Sequence, residues 1–297
     1  MTSIILAVVF MALLGALLAF LLAVASKKLY VYEDPRIDQV EEMLPHANCG
    51  ACGKPGCRPF AEATVAGLVD PGGCTVSSAA MTKAIADYLG VEVVHREKQV
   101  ARLACAGGAH VAHIKADYKG LKSCRAAGLV AGGGKGCTWG CLGLGDCESV
   151  CNFGAIHMND FGLPVVNEEK CTACNDCVKV CPKELFSIHG VSHQLWVACK
   201  NKDVGDESET DCEVTCTACG RCAADAPEGL ISIQANLAMI DYSKNQLASK
   251  IAIERCPTGA IVWLDREEGA MRGSDAKKIT RKQPLNINIR VEPLPRG

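Results

Sequence analysis

Twenty of the 297 residues are cysteine, and their spacing limits what chemistry the chain can do. Cys49, Cys52, Cys57 and Cys74 stand as C-x2-C-x4-C-x16-C, with glycines at 50, 53 and 56 that let backbone amides turn toward sulfur. Cys171, Cys174, Cys177 and Cys181 form a tighter run, C-x2-C-x2-C-x3-C, closed by Pro182. Cys137, Cys141, Cys147 and Cys151 make a looser one, in which Leu144 takes the place of a middle cysteine and Asn152 that of a proline. Cys216, Cys219 and Cys222, with a distant Cys256-Pro257, complete the groups. So many thiols admit disulfide staples, zinc sites or iron–sulfur clusters.

Compartment argues against disulfides. Residues 2–26 carry no charge and are mostly Leu, Ala, Val, Ile and Phe, enough to cross about 30 Å of hydrocarbon. Lys27 and Lys28 follow at once, with no Lys or Arg before them, so the positive-inside rule puts the rest of the chain in the cytoplasm. Ala23-Val24-Ala25 is the competing sign of a cleaved signal peptide, but the charged segment that should precede the apolar run is missing. Cytosolic thiols stay reduced. The span holds no ionisable residue, so it is read as an anchor and not an ion path.

The second half of the chain repeats itself. Cysteines at 124, 137, 141, 147 and 181 recur at 199, 212, 216, 222 and 256, each 75 positions later. In the second copy the positions matching Cys151, Cys171, Cys174 and Cys177 are Ala226, Gln246, Ser249 and Ala252, so one whole quartet is lost while another is kept. A cluster predicts loss by quartets; a disulfide framework does not. The tight run has the bacterial ferredoxin spacing, in which the fourth cysteine of each run ligates the other cluster. The expected sites are therefore Cys49, Cys52, Cys57 and Cys74; Cys137, Cys141, Cys147 and Cys181; Cys151, Cys171, Cys174 and Cys177; and Cys216, Cys219, Cys222 and Cys256. Cys105, Cys124, Cys199 and Cys212 are left over. They form either a fifth site or buried unligated thiols, and an exchange of Cys124 and Cys137 between sites stays open. No catalytic residue is expected.

The Asn48-Cys49-Gly50-x-Cys52-Gly53-x-Pro55-Gly56-Cys57 segment with Cys74 resembles the four-cysteine domain of two families. One is the B subunit of Rnf-type ion-translocating ferredoxin:NAD oxidoreductases; the other is certain corrinoid iron–sulfur proteins. The anchor, the Val31-Tyr-Glu-Asp-Pro-Arg36 stretch and the ferredoxin runs favour the Rnf family, a resemblance extending from residue 1 to about 265. A corrinoid methyl carrier would need a barrel and a cobamide domain for which no residues remain. The resemblance implies at least four [4Fe-4S] clusters, reduced ferredoxin as donor, other membrane and peripheral subunits as partners, and electron flow toward NAD coupled to movement of sodium ions or protons. A membrane-tethered polyferredoxin serving another reductase is the alternative. A zinc-binding interaction protein is a third reading.

Aromatics are only 5% of the chain, too few for ordinary cores, so metal binding is expected to supply folding energy. The fold class expected is α+β: an anchor (1–26), a four-cysteine domain (27–90), a ferredoxin-like module with two clusters (91–195), a second, degenerate module with one (196–265), and a basic tail (266–297). Ile-rich runs at 155–158, 185–188, 230–233 and 260–264 read as strands. Residues 37–44 read as an amphipathic segment and 60–69 as a helix capping the first site. The tail carries Arg266, Arg272, Lys277, Lys278, Arg281, Lys282, Arg290 and Arg296 and reads as a docking strand or a solvated end. The glycine-rich stretch 128–136 lacks a phosphate-loop pattern and reads as a flexible connector, and His46 as a local hydrogen-bond donor. No basic, aromatic-interleaved surface suggests nucleic acid.

Overall fold

A computed structural model describes residues 2–29, 33–94, 97–283 and 285. Linker residues 30–32 and the tail beyond 285, with Arg290 and Arg296, lie outside the described residues. The apolar run forms one helix, α1 (Thr2–Leu29), with Lys27 and Lys28 in its last turn. Ile5–Leu29 is long and apolar enough to cross a membrane, and none of it is buried in the protein.

The four-cysteine unit is helical. Helix α2 (Pro35–Glu42) starts where the Asp34 carboxylate accepts from Arg36 N, with Pro35 pre-set in the first turn. Helix α3 (Cys57–Val65) begins on a ligand-type cysteine, four residues short of the expected end at 69. Helix α4 (Ala79–Leu89) is capped by Ser78 and ends on Gly90 in the left-handed region, φ 69°. Val40, Leu44, Phe60, Ala61 and Ile85 form the core under them.

The two modules are built alike. In the first, β1 (Gln99–Leu103) precedes α5 (Cys124–Leu129) and α6 (Asp146–Ser149); then come β2 (Ile156–Met158), β3 (Pro164–Val166), α7 (Asp176–Val180) and β4 (Phe186–Gly190). In the second, β5 (Leu195–Val197) precedes α8 (Gly205–Asp211) and α9 (Arg221–Asp225); then come β6 (Ile231–Gln234), β7 (Leu237–Ile240), α10 (Ile251–Glu254), β8 (Ile261–Asp265) and β9 (Gly269–Met271). The antiparallel pairs are β1–β4 and β2–β3 in one, β5–β8 and β6–β7 in the other. The four Ile-rich runs are thus strands, each paired with a segment whose composition had not marked it.

The pairing register corrects the repeat at one point. Leu103 sits opposite Phe186 and Val197 opposite Ile261. Just beyond, Ala104 N donates to Leu185 O and Ala198 N to Ala260 O, each at 2.8 Å. Cys105 and Cys199 therefore follow equivalent strands and are structural mates, although 94 positions apart. Cys124 is not the mate of Cys199; it lies in an insertion unique to the first module.

Two other expectations change. The glycine-rich stretch is a hydrogen-bonded turn: Lys115 N donates to Gly134 O at 2.7 Å and Gly136 N to His113 O at 2.8 Å. Gly134 has φ 80°, and a Cβ there would lie 2.0 Å from Ala116 O, so no other residue fits. The described part of the tail is not a solvated end. Strand β9 pairs with β8, Lys277 and Arg281 reach Glu213 at 3.5 and 3.2 Å, and Leu285 N donates to Ala109 O.

Candidate metal centres

All 20 cysteines are free thiols. Four similar small cavities are each lined by four of them: Cys49, Cys52, Cys57 and Cys74; Cys151, Cys171, Cys174 and Cys177; Cys216, Cys219, Cys222 and Cys256; and Cys105, Cys137, Cys199 and Cys212. The first three match the expected quartets. The last brings together two pairs of structural mates, one pair per strand end and one per loop, at the junction of the modules.

The loops that present the thiols share one backbone. In Cys171–Cys177, Ala173 and Asn175 have φ 56° and 75°; in Cys216–Cys222, Ala218 and Gly220 have 54° and 74°. Gly143 and Gly145 repeat this at 74° and 81° between Cys141 and Cys147. Leu144 therefore occupies a cysteine position on an unchanged loop. Helix α5 brings a further thiol, Cys124, to this loop. Ser123 Oγ donates to Asp146 Oδ2 at 2.9 Å and Arg125 N to the same oxygen at 3.2 Å, which fixes Cys124 beside the residue preceding Cys147. Burial pushes the Cys147 thiol up to about 12, with Cys124 and Cys181 adding to it; Cys141, also raised to about 12 by burial, feels Cys105 and Cys124. Cys137, expected with Cys141, Cys147 and Cys181, lines the junction cavity instead. Sequence proximity favoured Cys137, whereas Cys124 is the thiol whose charge acts on Cys141 and Cys147.

Electrostatics repeat across the groups. Burial drives Cys177 to about 12, with Cys171, Cys174 and Cys151 adding; Cys222 goes to about 12, with Cys216, Cys256 and Cys219; Cys212 goes to about 12, with Cys105, Cys199 and Cys137. Burial of the thiols at Cys177, Cys222 and Cys212 favours the neutral form, so thiolates there need a cationic partner to exist. Backbone amides already point at sulfur: Ala101 N to Cys171 at 3.4 Å, Ala155 N to Cys151 at 3.3 Å and Leu185 N to Cys181 at 3.4 Å.

The donor sets fit cubane clusters better than zinc. Among the described residues, no three His, Cys, Asp or Glu side chains converge closely enough for one metal ion, whereas tetrathiolate zinc needs four sulfurs at about 2.3 Å from one centre. Spaced thiols round a walled cavity suit a cube that takes one cysteine per iron. Gly107 shows the space kept: a Cβ there would lie 3.1 Å from Cys212 Sγ and 3.7 Å from Cys105 Sγ. In the second module two positions of the lost quartet have joined the side-chain core, with Ala252 1% exposed and Ala226 packed against the cluster that holds it, while Gln246 is exposed.

Quartets of thiols on ferredoxin-type loops define an iron–sulfur protein of the multi-cluster class. The FeS family, described as an Fe-S cluster family, matches residues 44–76, and the 4Fe-4S dicluster domain family matches residues 136–186. The chain is 41% identical, over 83% of its length and 74% of the relative's, to the B subunit of the Na(+)-translocating ferredoxin:NAD(+) oxidoreductase complex of Acetobacterium woodii. It is 37% identical to the B subunit of the ion-translocating oxidoreductase complex of Methanosarcina acetivorans (84% and 94%). Against the B subunit of the proton-translocating ferredoxin:NAD(+) oxidoreductase complex of Clostridium ljungdahlii it is 36% identical (88% and 93%). The chain belongs to the family of B subunits of ion-translocating, Rnf-type oxidoreductase complexes.

Proposed function

We propose that this chain is the membrane-anchored electron relay of such a complex, holding five [4Fe-4S] clusters. Their ligands are Cys49, Cys52, Cys57 and Cys74; Cys124, Cys141, Cys147 and Cys181; Cys151, Cys171, Cys174 and Cys177; Cys105, Cys137, Cys199 and Cys212; and Cys216, Cys219, Cys222 and Cys256. Reduced ferredoxin is the donor, other subunits carry the electrons on to NAD, and the bulk of the chain lies on the cytoplasmic side, a placement supported by Lys27 and Lys28 in the last turn of α1. Bound in these quartets, cubane clusters supply one-electron transfer with little rearrangement. The chain's own part is to hold sulfur on preset loops, aim amides at it and wall it from water.

The observation that carries this reading is the junction quartet. Cys141 N donates to Cys105 Sγ and Cys216 N to Cys199 Sγ, both at 3.4 Å. The backbone of a ligand from each flanking group therefore touches a sulfur of the shared one, and the two modules form one continuous conductor. The test is to mix the anaerobically loaded full chain in detergent with reduced ferredoxin in a stopped-flow cell. Bleaching of the chain's visible absorbance by several electron equivalents is expected; a chain left oxidised by reduced ferredoxin contradicts the reading. Side is tested separately, by protease access in inverted and right-side-out vesicles, with cleavage of residues beyond 33 expected only in inverted ones.

A further inference from the structure

The junction quartet differs from the others in what surrounds it. The linings of the Cys49 and Cys216 cavities contain no charged side chain, and that of the Cys151 cavity contains Asp176. The junction cavity is lined by two lysines, Lys135 and Lys200. Lys200 is compensated, its ammonium lying 3.5 Å from the Glu184 carboxylate. Lys135 is not. Its Nζ donates to the carbonyls of Gly107 at 2.5 Å and Cys141 at 2.6 Å, and among the described residues it has no carboxylate partner.

The fold holds this ammonium in place. Gly134, where only glycine fits, turns the chain immediately before Lys135, and a bridge from Ile114 to Lys135 fixes its backbone. Its two acceptors follow Cys105 by two residues and belong to Cys141, so the charge stands between the junction group and the Cys124 group. Among the described residues, the junction sulfurs have two side-chain partners, one of them an amide donor, where the Cys256 sulfur has one hydroxyl at 3.9 Å. Asn201 Nδ2 donates to Cys137 Sγ at 3.6 Å, and the buried Thr215 hydroxyl lies 3.7 Å from Cys199 Sγ, which also accepts from Asn201 N and Cys216 N. The comparable hydroxyl near Cys256, that of Thr258, is spent on Thr215 O at 2.6 Å.

Positive charge and hydrogen bonds to sulfur favour the reduced, more anionic state of a thiolate-bound cluster. We infer that the junction site is the highest-potential station of the chain, where electrons from both modules collect, and that Lys135 is the positioning residue that sets it there. The inference rests on reading Cys105, Cys137, Cys199 and Cys212 as a cluster site.

The test is a redox titration of the full chain followed by electron paramagnetic resonance, with iron counted on the same samples. Wild type should hold about twenty irons, and Cys137→Ser should abolish its first reduction step. Lys135→Met should keep the iron and make that first step at least tenfold less favourable, about 59 mV lower for one electron; Lys135→Arg should restore most of it. Wild type with about sixteen irons overturns the cluster reading beneath the inference. Full iron in Lys135→Met with the first step unmoved, or a first step that survives Cys137→Ser, overturns the inference alone. If Lys135→Met loads less iron, Thr215→Val, which deletes only a hydroxyl, decides: a smaller drop supports the assignment, and an unmoved step refutes it.

Discussion

The exchange of Cys124 for Cys137 can be tested by moving a sulfur. Alanine at 124 removes one of four thiols from the group with Cys141, Cys147 and Cys181, so a chain with about twenty irons should fall to about sixteen. The loop from Cys141 to Cys147 keeps the left-handed pair at 143 and 145 that brings Cys174 and Cys219 to their cavities in the sister loops. Leu144→Cys should thus return a sulfur to the same place without moving backbone, and the double variant should regain about four irons. The same Leu144→Cys should do nothing for Cys137→Ala, whose missing sulfur faces Cys105, Cys199 and Cys212. Iron and acid-labile sulfide per chain, measured on anaerobically purified variants, is the assay. The reasoning fails if Cys124→Ala keeps its iron, or if Leu144→Cys rescues Cys137→Ala instead.

Three further outcomes follow from packing and charge. Phe60 is 1% exposed in the core beneath α3, so Phe60→Ala should cost about 3–5 kcal/mol in urea unfolding of the four-cysteine unit. His189 is held down to about 4 by burial, by His193 with its Nδ1 3.2 Å away, and by Arg102; Glu97 faces His193 and pulls the other way. Its proton is bound in the unfolded chain but not in the folded one, so stability should fall as pH drops from about 6.5 toward about 4. Allowing for its half exposure, the loss should reach about 1–2 kcal/mol, and His189→Gln should flatten that slope in denaturant titrations. Deleting residues 2–29 should move the chain from carbonate-washed membranes to the soluble fraction, since nothing else among the described residues is long and apolar enough to cross a bilayer.

Much of this was legible in the cysteine spacing, because thiols that share a cluster must sit on short, shaped loops. The three quartets that fill the Cys49, Cys151 and Cys216 cavities could be written down from spacing and from the collective loss in the second copy. The Ile-rich strands were visible for a related reason, as apolar runs bounded by Gly or Pro. What was not legible depends on strand pairing across distance. Cys105 sits 94 positions from its mate, because an insertion displaces it from the 75-residue register, and only the β1–β4 and β5–β8 ladders reveal the equivalence. Cys124 misled for the opposite reason: it falls on the 75-residue period while belonging to the insertion. The one available signal was the gap at Leu144, which required a sulfur from outside the loop without saying which. The attachment of the tail's described part was hidden because its contacts, Lys277 and Arg281 to Glu213, are long-range ion pairs.

Iron, inorganic sulfide and zinc per full-length chain, purified without oxygen, test the central claim most directly. About twenty irons with matching sulfide and negligible zinc are predicted, four for each of five quartets. About sixteen irons would remove the junction site that joins the modules, and stoichiometric zinc without sulfide would contradict the electron relay altogether.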